Sequence, residues 1–144
     1  VKLAWASAAS IGKKLKITPK QSGPALRYLI VLSAANLLDD AEKFSFEMLK
    51  HDPNNGDVQR RRLKILVNQK KCDDAINLGQ TAIKNSYGRN EFWVAELLAK
   101  AYLGANKNKE AKLLLEKYLS RSDVEWSNLQ SSRKSLEELR KQIN

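Results

Sequence analysis

The stretch "LKHDPNNGD", Leu49–Asp57, stops one helix and starts another. Pro53 has no N–H to donate, and Asn tolerates left-handed geometry, so a turn here has a chemical cause. A single such turn says little. A turn that recurs at fixed spacing makes the chain a repeat and fixes its architecture. Thirty-four residues upstream stands "KITPKQSG", in which Pro19 aligns with Pro53 and Lys16 with Lys50. Asp39-Asp40-Ala41 recurs 34 residues later as Asp73-Asp74-Ala75, and Ala111 follows Ala75 after 36. The two added residues fit the turn "KNSYGRNEF", where Gly88 and Asn90 make an insertion easy. Ser7, 34 before Ala41, extends the ladder only weakly, because "WASAA" is small throughout.

Apolar periodicity between these marks predicts helices over 3–17, 23–37, 39–51, 56–69, 72–86, 91–105, 107–121 and 124–142. Ser122 with Glu125 is a capping-box pattern for the last. No run alternates as a strand would. Segments 39–51, 72–86 and 107–121 alternate with 23–37, 56–69 and 91–105, so each period is two antiparallel helices and a short turn. One such pair cannot bury its apolar face alone, so stacked copies must share a core. The small residues of the ladder would admit a close neighbour, and Leu63, Leu66, Leu98 and Tyr102 would fill the remaining space. "DVEWSNLQSSRKSLEELRKQIN" offers Val124, Trp126, Leu129, Leu136, Leu139 and Ile143 on one face and polar residues on the other, as a terminal cap requires.

The chain resembles the tetratricopeptide repeat family. The residues that carry the resemblance are Asp52-Pro53-Asn54-Asn55, the ladder Ala41, Ala75 and Ala111, and residues 96–119, in which Leu98, Ala99, Tyr102 and Ala111 fall on the family's packing positions. The second copy departs from the pattern, with Arg62, Leu63 and Leu66 in the places of Leu98, Ala99 and Tyr102. Trp93 stands two places before the family's usual Trp. The resemblance implies an all-α, right-handed superhelical solenoid of about seven or eight helices. Its parts would be an N-terminal helix over 1–21, read as the second half of an upstream repeat, repeats over 22–55, 56–91 and 92–122, and a capping helix over 123–144. It also implies that the first helices line a concave groove. Repeat phase then places Leu26, Ile30 and Ser33, next Asp57, Arg60, Lys64, Val67 and Asn68, and finally Trp93, Glu96 and Lys100 on its wall. Such a groove suits an extended or helical peptide with apolar anchors and acidic residues. The family's clamp for a chaperone's C-terminal carboxylate draws on three successive first helices, and Leu26 and Ile30 do not supply it.

Composition narrows the function. The 144 residues carry a net charge of +10 and are 42% hydrophobic, enough for a packed core and too apolar for disorder. The excess positive charge sits in two blocks. Residues 1–20 hold five Lys and no acid, and residues 56–90 hold eight bases against three acids. Such blocks attract acidic peptides, nucleic acid or anionic lipid, or simply solvate the surface. RNA binding by basic helix pairs is therefore the competing function, as in pentatricopeptide repeats. That family's period is 35, against 34 and 36 here, and Trp93 is the lone aromatic on the groove stripe. A spacer without a ligand is a third reading.

Catalysis has no visible machinery. His51 and Cys72 are the only His and Cys. One ends a second helix and the other starts the next, which would separate them by about 20 Å. Asp39-Asp40 and Asp73-Asp74 open helices, where acids suit the dipole. No phosphate loop, metal-ligand spacing or cofactor motif occurs. The single Cys fits a reducing compartment and so the cytoplasm, and a bacterial periplasm fits the same count. "ALRYLIVLSAANLL" is short of the roughly 20 residues of a membrane span. The chain opens on Val1, which suggests a piece of a longer protein.

Overall fold

The computed structural model describes residues 1–144. The chain is all-helical: α1 Lys2–Lys14, α2 Ser22–Ala34, α3 Leu38–His51, α4 Gly56–Asn68, α5 Cys72–Ala82, α6 Gly88–Gly104, α7 Asn108–Leu119 and α8 Gln130–Lys141. Short 3-10 turns at Ile83–Asn85 and Trp126–Asn128 precede α6 and α8. No helix is long and apolar enough to cross a membrane.

The turn at Pro53 does repeat. Asn55 N–H donates to the Asp52 carbonyl and Gln59 N–H to the Asn55 carbonyl; 34 residues earlier, Gln21 N–H donates to Thr18 and Ala25 N–H to Gln21. In the later copy the Asn55 side chain caps α4, accepting the Val58 N–H at 3.1 Å. Gln59 Nε2 donates to the Pro53 carbonyl at 2.8 Å and ties the loop to the helix. In the earlier copy the Gln21 side chain reaches back to the Thr18 N–H at 2.8 Å.

A second turn recurs with the spacing of the Ala ladder. Asn36, Lys70 and Asn106 are left-handed, each with φ 59°. Around them Leu37 N–H bonds the Leu32 carbonyl, Lys71 N–H that of Leu66, and Lys107 N–H that of Tyr102. Each is a Schellman closure, in which a left-handed residue lets the chain satisfy the last helix carbonyls and reverse. Five residues after each left-handed position stands a fully buried alanine: Ala41, Ala75 and Ala111.

The chain divides into two compact units, Val1–Ile65 and Leu66–Asn144, with the division inside α4. In the first, α2 packs on α1 and on α3. Ala25, Leu29, Leu32, Ala41 and Met48 form its core with Val58 and Ile65 of α4. Tyr28 meets Phe44 edge-on with ring centroids 5.0 Å apart. The α1–α2 approach depends on Gly12, where a Cβ would lie 2.5 Å from the Tyr28 ring. In the second unit α6 packs on α5, α7 and α8. Phe92, Ala99, Leu115, Tyr118, Leu136 and Ile143 belong to one cluster there. Gly79 of α5 lies so close to Leu98 that a Cβ would come within 2.8 Å of it.

Three expectations need correction. Residues 15–17 leave α1, because Lys16 turns left-handed (φ 52°). The expected helix over 72–86 ends at Ala82 and continues only as the 3-10 turn Ile83–Asn85, so Ser86 lies outside it. The last helix does not start at 124, and Ser122 with Glu125 forms no capping box. Arg121 bonds both Asp123 oxygens at 2.9 and 2.6 Å, the Trp126 indole N–H donates to the Arg121 carbonyl at 3.1 Å, and Glu125 accepts from Asn128 at 2.9 Å. These bonds hold 121–129 as a strap over Phe92 and delay α8 to Gln130.

Candidate functional site

The first unit holds a recess of about 420 Å³. Its floor is Leu26, Met48 and Val58; its rim carries Pro19, Lys20 and Ser22 from the first turn and His51, Asp52 and Asn55 from the second. The local sequence explains the opening. Both Pro turns swing the chain outward at the same end of the helices, and the apolar residues one turn inside are left as the floor. Its size falls within the range of ligand pockets, and apolar floors with polar rims are their usual chemistry. Leu26 is half-buried and lines this recess, so α1 does not cover it. Ile30, one turn further along α2, is half-buried and lies outside the recess lining.

The α4 stripe is less cationic than its sequence suggests. Arg60 donates to Asp57 Oδ1 at 2.7 Å and Arg61 to the same oxygen at 3.2 Å. Lys64 is exposed and is the outward cation of the stripe. Arg62 serves packing instead: its guanidinium donates to the Glu42 carbonyl at 2.6 Å and to Ser45 Oγ at 3.2 Å and lies 5.2 Å from the exposed Phe46 ring.

The second unit holds the other expected positions. Asn68 is exposed at the end of α4, and Trp93 and Lys100 are exposed on α6. Lys100 Nζ pairs with Glu96 at 3.0 Å. Glu96 is 21% accessible at its side chain, so this pair presents a neutral patch beside the Trp93 ring. Deeper in the unit, Tyr118 donates to Glu91 at 2.8 Å, and Arg121 pairs with the other Glu91 oxygen at 3.0 Å. Burial and the Glu91 carboxylate push the Tyr118 phenol up. The Arg121 hydrogen bonds hold the Asp123 carboxyl below the usual range. This network packs under Phe92 and Trp126 and fastens the strap; Glu91 and Arg121 also line an open recess of about 300 Å³ with Phe92, Val124 and Leu129.

Sequence reasoning missed Lys20, His51 and Met48 as neighbours of Leu26. They come from two separate segments, the turn before α2 and the end of α3, and the recurrence of the two Pro turns was the one signal that could have joined them. No family model matches the chain, and neither curated proteins nor solved structures yield a match.

Proposed function

We propose that the chain is a non-catalytic scaffold of tetratricopeptide type, built of helix pairs, that binds a partner protein through the outward faces of α2 and the first part of α4. The observation that carries the reading is the recurrence of one turn chemistry, a left-handed residue followed by a buried alanine five places on, at spacings of 34 and 36. The ligand is an extended peptide with an apolar anchor and acidic residues. The apolar floor around Leu26 supports the anchor, and exposed Lys20 and Lys64 support the acids. RNA is the competing ligand on charge alone.

Calorimetric titration with acidic, Leu-containing peptides and with unstructured single-stranded RNA, at two salt concentrations, separates the two. Under the peptide reading Leu26→Ser weakens binding about tenfold by removing apolar contact. Lys64→Glu weakens it by a similar factor through lost attraction and added repulsion. RNA binding that falls steeply with salt and ignores Leu26 overturns the reading.

A further inference from the structure

We propose that α1 is a docking surface for an anionic lipid bilayer, lying in the headgroup region with its apolar face down. Only part of that face is used inside the protein: Ala9 and Gly12 are buried, while Leu3, Ile11 and Leu15 remain 85%, 57% and 69% exposed. At 100° per residue these three side chains fall within an arc of about 120°, together with Ala4, Ser7 and Lys14. Trp5 falls between Ala9 and Gly12 on the packed side of the helix and is 36% exposed, so it is not part of the open stripe.

Charge selects the occupant. Residues 1–20 hold five lysines and no acid. Lys13 shares a recess with Asp40 and Glu47 of α3 and is partly offset; Lys14, Lys16 and Lys20 are exposed toward the end of the helix. A second copy of the chain would bring five more lysines against these, which opposes self-pairing. A protein groove needs a fixed register, and this convex face offers only aliphatic side chains and lysine stems to set one. A bilayer adapts to a convex apolar stripe, takes lysine stems along its surface and their ammonium groups at the phosphates. The 13-residue helix spans about 20 Å, against about 30 Å of hydrocarbon core, so it lies on the membrane and does not cross it.

The test is flotation of the full chain with vesicles of phosphatidylcholine alone and of phosphatidylcholine with one-third phosphatidylglycerol. Binding is expected to the anionic vesicles and to weaken in high salt. Leu3→Ser with Ile11→Ser is expected to reduce partitioning at least tenfold. Lys14→Gln with Lys16→Gln is expected to reduce it roughly 25-fold, at about fivefold per lysine. All four positions are exposed, so the melting temperature stays in place and reports that the variants fold. Equal binding to both vesicles, or serine variants that float like the wild type, would overturn the proposal. So would a dimer that Ile11→Ser converts to a monomer, because a second copy would then own the face.

Discussion

The two terminal helices use their apolar residues in opposite ways. In the second unit α8 and the strap before it place Leu136, Leu139 and Ile143 in the core, with Val124, Trp126 and Leu129 packed against it. In the first unit α1 buries a glycine and an alanine and leaves its large aliphatic side chains outside. Both helices are amphipathic by sequence, and periodicity alone does not tell a cap from a docking face. What separates them is which residues sit at the crossing. Large side chains on α8 fill space between α6 and α7. Small ones on α1 let it come close to Tyr28, and its large ones point elsewhere.

Removing the two ends should therefore have unequal consequences. Truncation before Asp123 uncovers Phe92, Leu115 and Tyr118, and the chain is expected to aggregate. Leu113 is 68% exposed even with the cap in place and is no part of what the cap shields. Leu136→Ala is the milder form and should cost about 2–5 kcal/mol. Removal of residues 1–4, all exposed, should leave melting within a degree or two. Size-exclusion chromatography and thermal melts read both. A C-terminal truncation that stays monomeric and equally stable would abolish the distinction.

The crossings give the next largest effect. Gly12→Ala drives a methyl group into the Tyr28 ring, which is pinned by Phe44 and cannot easily yield. The expected loss is about 1–3 kcal/mol, and Ala111→Leu should cost a similar amount at the α7 ladder position. Leu3→Ser, on the open side of α1, should change stability by less than about 0.5 kcal/mol. Denaturant melts that rank Leu3→Ser above Gly12→Ala would mean the packed face of α1 is wrongly assigned.

Helices and repeat phase were legible because both follow from short-range rules: apolar residues at helical spacing, prolines 34 apart, alanines at the crossings. Less legible were features set by pairs distant in sequence. Ser122 and Glu125 satisfy a local capping rule, yet Arg121 engages Asp123 and Glu91, which lies 30 residues away, and the helix starts late. Arg60 and Lys64 look equivalent on a helical stripe. The Asp57 carboxylate, one turn back, occupies Arg60 and leaves Lys64. The recess around Leu26 joins three segments, so no window of sequence displays it.

The strap should also give the cap a dependence on pH in the alkaline range. Tyr118 is protonated in the folded chain beyond its ordinary range, because burial and then Glu91 disfavour the phenolate. In the unfolded chain it ionises near pH 10. Its contribution is complete below pH 10 and is lost as pH rises from there toward the folded value. Tyr118→Phe should cost about 1–2 kcal/mol at neutral pH by removing the bond to Glu91. It should also flatten the alkaline loss of stability. An unchanged alkaline slope would place the titration elsewhere.

The smallest difference lies at the helix ends. α1 terminates through Lys16 at φ 52°, where an L side chain is strained, whereas α8 ends at Gln142 with ordinary right-handed geometry (φ −74°). Glycine relieves the first strain and gains nothing at the second, though it adds freedom to the unfolded chain at both. Lys16→Gly is thus expected to stabilise by about 0.5–1 kcal/mol, and Gln142→Gly to be neutral or slightly destabilising. Lys70→Gly, at the Schellman turn after α4, should match the gain of Lys16→Gly, since its φ is 59°. The same denaturant melts decide. If Lys16→Gly destabilises, the side chain at that position makes a contact worth more than the strain. The turn after α1 would then be held by its lysine, where the other left-handed turns are held by backbone closure alone.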